Sequence, residues 1–137
     1  MLAIILAGGL IQMVPIGHRH SNPAVVREPA WDNSKTRQLV KRACFNCHSN
    51  ETVWPWYSRI APISWLTERD VNNGRSHLNF SEWNTPQDEA DEVGVEIQTS
   101  AMPPWFYLPM HPEAKLTPEE KTALIAGLQK SLEEPGR

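Results

Sequence analysis

Cysteine is scarce in this chain of 137 residues, with one pair at positions 44 and 47 and no others. Two thiols cannot complete a tetrahedral zinc site, so a structural zinc would have to recruit distant histidines such as His77 and His111. No strand precedes the pair and no βαβ pattern surrounds it, which removes the context a thioredoxin-like dithiol needs. An excess of positive charge is also missing: the formal net charge is -3 and the isoelectric point is near 5.9. That balance argues against nucleic acid as a partner, since binding it calls for a clustered basic face. There is no general acid paired with a base, no nucleophile beside its base, and no glycine-rich phosphate loop. Side-chain catalysis therefore has no visible constellation.

What is present is unusual in two respects. Six Trp stand beside two Tyr and three Phe, and large flat side chains suit the walls of a flat pocket as well as an ordinary core. Twelve Pro keep much of the backbone from being regular, so long loops held by something other than ladders are expected. The length fits one domain, large enough to bury a core and short enough for a large cofactor to form much of it.

The cysteines fall in Cys44-Phe45-Asn46-Cys47-His48. On a helical turn, thiols three residues apart share a face, so they can reach two vinyl groups along one porphyrin edge while the next side chain meets the iron. This spacing is the attachment signature of a c-type haem, and it implies one covalently held haem c.

Met1 to Gly17 is apolar except for Gln12 and ends at His18-Arg19-His20. Seventeen helical residues would span roughly 25 Å, just enough to cross a bilayer. No Lys or Arg precedes the run and no convincing cleavage site follows, so residues 1–17 are expected to form a membrane anchor or uncleaved signal helix. Residues 18–33, polar and carrying Pro23 and Pro29, are expected to be a tether. The domain proper is expected over 34–133. Its first helix starts with Ser34 as cap and carries Leu39, Val40, Ala43, Cys44 and Cys47 on one stripe, placing the motif at its C-terminal end. Residues 49–62 are expected as a loop bringing Trp54, Trp56 and Tyr57 near His48. Pro62 opens a second helix that Gly74 should close. Another helix is expected from Thr85-Pro86 through Val93, Ile97 and Ala101. Four prolines between Ala101 and Pro112 exclude a regular element. Thr117-Pro118-Glu119-Glu120 is a capping box opening a last helix, which should pack across the first helix of the domain, with a frayed end over 134–137.

The run from Cys44, together with Trp54-Pro-Trp-Tyr-Ser, Ala61-Pro-Ile-Ser-Trp, Asn79-Phe-Ser-Glu-Trp, Met102-Pro-Pro-Trp and His111-Pro-Glu-Ala-Lys-Leu, resembles the haem-binding domain family of bacterial cytochrome-c-like proteins. The likeness covers about 35–129. It implies a small all-α fold of cytochrome c type with long Pro-rich loops, exported and often membrane-tethered, with one haem. Carried over residue by residue, Cys44 and Cys47 match the thioether positions and His48 the proximal iron ligand. Met102 matches the place where such cytochromes hold a methionine as sixth ligand, with Met110, His77 and His111 as alternatives. A thioether there raises the reduction potential and fills the iron's last position, which suits electron transfer. Trp56, Tyr57, Arg59 and Arg75 are candidates for the haem pocket and its propionates.

The expectation is a membrane-anchored monohaem cytochrome on the periplasmic or outer face of the cytoplasmic membrane, passing single electrons to a redox protein or membrane redox complex. Two rivals stand beside it: a haem peroxidase or gas sensor with an open sixth position, and a structural haem subunit of a membrane assembly.

Overall fold

The computed structural model describes residues 1–132; Glu133, at the end of the expected domain, and the frayed end expected over 134–137 lie outside them. Among the described residues the chain is helical, with α1 (Leu2–Ile11), α2 (Ser34–Ala43), α3 (Phe45–His48), α4 (Ile63–His77), α5 (Val93–Gln98) and α6 (Pro118–Leu132), joined by 3-10 turns and long loops. The only β pairing among them is one isolated parallel bridge between Arg27 and Glu82.

α2 is capped by Asn33, one residue earlier than expected, whose side chain accepts the Thr36 amide at 3.0 Å. Its apolar stripe of Leu39 and Val40 is buried and meets Leu124 and Leu128 of α6 in one core. The crossing is close because residue 127 is Gly: a Cβ there would collide with the Thr36 hydroxyl. At the start of α6 the capping box forms as expected, with the Glu120 amide donating to Thr117 Oγ1 at 3.1 Å and the Thr117 amide donating to Glu120 Oε2 at 3.0 Å. Glu120 also pairs with Arg42 of α2 at 2.6 Å. Aromatic rings complete the core: Phe80 packs against Phe45, Trp83 and Trp31 with centroids 5.6 to 6.0 Å apart.

Three sequence expectations are corrected. The apolar N-terminal run does not make one helix through Gly17: α1 stops at Ile11, and among the described residues no helix is long and apolar enough to cross a membrane. Ten residues rise about 15 Å, half the hydrocarbon thickness. At the helix end the Gln12 side chain bridges α1 to the domain: Nε2 donates to Gly8 O at 3.3 Å and to Ala61 O at 3.0 Å, and Oε1 accepts the Ala61 N–H at 2.9 Å. Second, Gly74 does not close α4, which runs on to His77. Third, Thr85-Pro86 starts no helix. There the buried Gln87 side chain accepts the Asn79 amide at 2.7 Å and donates to Glu82 O at 3.0 Å, fixing a loop. α5 begins only at Val93 and ends before Ala101, with Ser100 in the left-handed region at φ 63°.

The stretch expected to be a tether lies along the domain. Val26 and Arg27 donate their amides to Ser81 O, and Trp83 donates to Arg27 O at 2.9 Å. Glu28 takes two bonds from Arg37 of α2, at 2.7 and 2.6 Å, and one from Trp31 Nε1 at 2.6 Å.

Candidate haem site

The motif does not continue α2. Cys44 departs from helical geometry at φ -123°, and a separate turn follows, closed by bonds from the Cys47 and His48 amides to Cys44 O at 3.1 and 2.9 Å. The break lets Phe45 turn into the core at 2 % exposure while both cysteines, unpaired with each other, remain half-buried. α4 crosses this turn at Gly74, where a Cβ would run into the backbone and side chain of Cys47. Only glycine permits that approach. The sequence signal was misread as a stop.

Around the turn the backbone groups are matched almost one by one. His48 O accepts the Phe80 amide at 2.8 Å, and Ser49 Oγ donates to Phe45 O at 2.8 Å. Asn50 accepts from Asn79 Nδ2 at 2.9 Å and donates to Ala24 O at 3.0 Å and Glu82 Oε1 at 2.9 Å. Asn46 holds the next loop by accepting the Val53 amide at 3.0 Å. His48 Nδ1 lies 3.1 Å from Leu78 O. A carbonyl only accepts, so Nδ1 carries the proton and Nε2 keeps the lone pair that an iron ligand needs. Burial lowers the His48 pKa, chiefly by penalising the charged form, which keeps the imidazole neutral.

Burial likewise pushes the Cys44 thiol up to about 12, and burial with the Asp70 charge pushes Cys47 up to about 11. Reactive dithiols have depressed values; these thiols are shifted in the opposite direction. The zinc reading loses its ligands: among the described residues no group of three or more His, Cys, Asp or Glu is placed to hold a metal ion.

The remaining predicted residues divide. Arg75 spends its donors on the chain: Nε on Ser49 O at 2.8 Å, Nη1 on Ser21 O at 2.9 Å, and Nη2 on Asn22 Oδ1 at 3.0 Å and Thr52 Oγ1 at 2.9 Å. It is a brace rather than an open propionate donor. Arg59 is exposed at the end of a 3-10 turn spanning Trp56–Arg59. Trp56 is 70 % exposed, and Trp54 turns to the N-terminal segment, stacking on His20 at 4.4 Å and donating to Asn22 Oδ1 at 3.1 Å.

His111 is 8 % exposed and has both ring nitrogens engaged. Nδ1 faces Glu113 Oε1 at 3.1 Å and Nε2 faces the Tyr57 hydroxyl at 2.6 Å. With Nδ1–H donating to the carboxylate, Nε2 accepts from Tyr57, so its lone pair is already used. His111 also stacks on Tyr107 at 3.9 Å, and the Tyr107 hydroxyl accepts Asn46 Nδ2 at 2.7 Å. Neither this knot nor the Asn46 role is visible in the sequence, although Asn46, Tyr57, His111 and Glu113 lie inside the quoted motifs; Tyr107 falls between two of them. His77 is exposed and pairs with Glu89 at 2.7 Å.

Met102 sits in the proline-rich loop, 36 % exposed, its amide donating to Glu96 O at 3.0 Å. Five residues on, that loop is fastened to the motif through Tyr107 and Asn46. Along it Trp105, Phe106 and Met110 are 80, 57 and 55 % exposed. Exposed apolar side chains of this size, on a loop tied to the turn that carries a half-buried thiol pair and an oriented imidazole, fit a porphyrin.

These features define a helical domain organised on a Cys-x-x-Cys-His turn. The family model described as "Haem-binding domain" matches residues 6–130; the chain belongs to that family, and its cofactor is a haem. No curated protein and no solved structure matches the chain.

Proposed function

We propose that this protein is a monohaem c-type electron carrier that works at a membrane surface, alone or as a subunit of a larger redox complex, with the haem domain on the periplasmic or outer face of the cytoplasmic membrane. The observation that carries the reading is the Cys44–His48 turn, with two half-buried thiols unpaired with each other and an imidazole oriented through Leu78 O. Cys44 and Cys47 would hold the haem by thioethers, His48 Nε2 would ligate the iron, and Met102 would be the sixth ligand. Bound haem supplies one-electron redox chemistry. The protein's part is to fix the imidazole, bury the attachment edge, and offer a thioether that favours the reduced iron. Met102 is preferred to His111 because Tyr57 and Glu113 engage both nitrogens of that ring. A redox protein or membrane redox complex is the partner this role requires.

Optical spectra of the purified protein in both redox states test the reading, together with haem retention after denaturation. The expected result is covalently held haem, low-spin and six-coordinate when ferric, with a methionine-to-iron charge-transfer band. A high-spin ferric state with ready CO binding would instead assign the site to peroxidase or gas-sensing chemistry. Haem lost on denaturation would remove the c-type assignment.

A further inference from the structure

The N-terminal segment is fastened to one end of the domain. Gln12 bonds to both backbone groups of Ala61. Gly17, at φ 77°, lies so close to Ser64 and Trp65 that a Cβ would come within 2.6 Å of their backbone and ring atoms. Residues 12–17 thus run along the first turn of α4, and α1 emerges from that end.

Both parts carry exposed apolar side chains near this junction in the chain. Ile4, Leu6 and Leu10 of α1 are 59 to 76 % exposed, Met13 and Ile16 of the link 79 and 60 %, and Ile60, Ile63 and Leu66 at the start of α4 43 to 50 %. Ile63 and Leu66, three residues apart, share a helix face. A protein groove takes up a stripe of a helix, but α1 is apolar on every side, which suits acyl chains. Arg19, two residues after Gly17, and Arg59, next to Ile60, are both exposed and supply positive charge near this junction in the chain for lipid phosphates.

We infer that the start of α4, with Ile60, Ile63 and Leu66, is a bilayer-docking face that seats the domain directly on the membrane next to α1, in one orientation. This rests on the reading that the apolar N-terminal segment associates with a membrane. It replaces a swinging tether by a rigid mount, because the segment after Gly17 is bonded to the domain through Asn22, Arg75 and Trp54.

The test uses the full-length haem-loaded protein with spin labels at Ile63→Cys, Leu66→Cys and, as control, Val95→Cys on α5, which is 58 % exposed. Vesicles of phosphatidylethanolamine and phosphatidylglycerol are added, and label collisions with oxygen and with a water-soluble nickel complex are measured, alongside co-sedimentation. The expected result is co-sedimentation with a severalfold rise in the oxygen-to-nickel collision ratio at positions 63 and 66 and none at 95. Co-sedimentation with all three labels remaining water-accessible overturns the docking face but leaves the membrane reading standing. No co-sedimentation overturns both. Shielding of 63 and 66 without vesicles, growing with protein concentration, assigns the face to a second copy and overturns the proposal.

Discussion

The two walls of the haem site are built by different means. On the motif side, α3 is packed under α4 at Gly74 and its carbonyls, amides and asparagines are matched by the loop through Leu78, Asn79, Phe80 and Ser81. On the far side, the chain from Ala101 to Met110 carries exposed Met102, Trp105, Phe106 and Met110 and is secured at its end, through Tyr107 and His111. The first wall is a fixed socket set by the polypeptide. The second is a more exposed apolar stretch, tied back through Tyr107 and His111 and by the Met102 amide to Glu96 O. Under the proposed ligand set, the thioether bonds would fall on the buried side and the sixth ligand on the exposed one.

The largest expected effect breaks the rigid side outright. Replacing both cysteines (Cys44→Ser, Cys47→Ser) should abolish haem that survives denaturation, read by haem staining of a denaturing gel. Met102→Ala attacks the other wall and should leave covalent haem in place while changing the ferric spin state and lowering the reduction potential. An unchanged spectrum would give the ligand role to Met110 or His77. Gly74→Ala sharpens the contrast, because an added Cβ must displace the Cys47 backbone; overpacking of this kind costs about 1–3 kcal/mol, measurable as a lower denaturant midpoint.

Tyr57→Phe tests the anchor at His111. It leaves the buried His111 Nε2 without its donor, at a cost of about 1–2 kcal/mol, and should make the charge-transfer band easier to lose on heating before global unfolding. Glu28→Gln, remote from both walls, should have the smallest effect. The Arg37 guanidinium holds the Glu28 carboxyl below its usual 4.5, with Trp31 Nε1 assisting against the cost of burial. A carboxyl lowered in the folded state stabilises the fold above its unfolded pKa and loses that contribution as pH falls through the folded value. The variant should therefore melt lower at pH 7, by about 0.5–1 kcal/mol for a partly exposed pair, with the difference fading below pH 4.5.

The helices that bury a stripe could be read from the sequence, as could the motif. Leu39 and Val40 in α2 and Leu124 and Leu128 in α6 announce their faces through local spacing, and Thr117 to Glu120 announces its cap. What could not be read depended on partners far along the chain. Gly74 looks like a terminator until Cys47 is known to lie against it. Thr85-Pro86 looks like a helix start until Gln87 is seen spending its amide on Asn79 and Glu82. Gln12, the only polar side chain in the first 17 residues, bridges α1 to Ala61, far along the chain, which presents both backbone groups to it. In the candidate site, the residues proposed for thioether attachment and proximal ligation are legible as a contiguous motif. The His111 knot is not, because it is assembled from three separated loops.

Arg75 joins Ser21 and Asn22 to Ser49 and Thr52, so a single guanidinium grips the segment leading from α1 and the residue directly after His48. Load applied to the chain ahead of Asn22 is therefore delivered through one side chain to the base of the Cys-x-x-Cys-His turn. The N-terminal segment and that turn share one mechanical link, so a displacement of the first is passed to the backbone that follows His48.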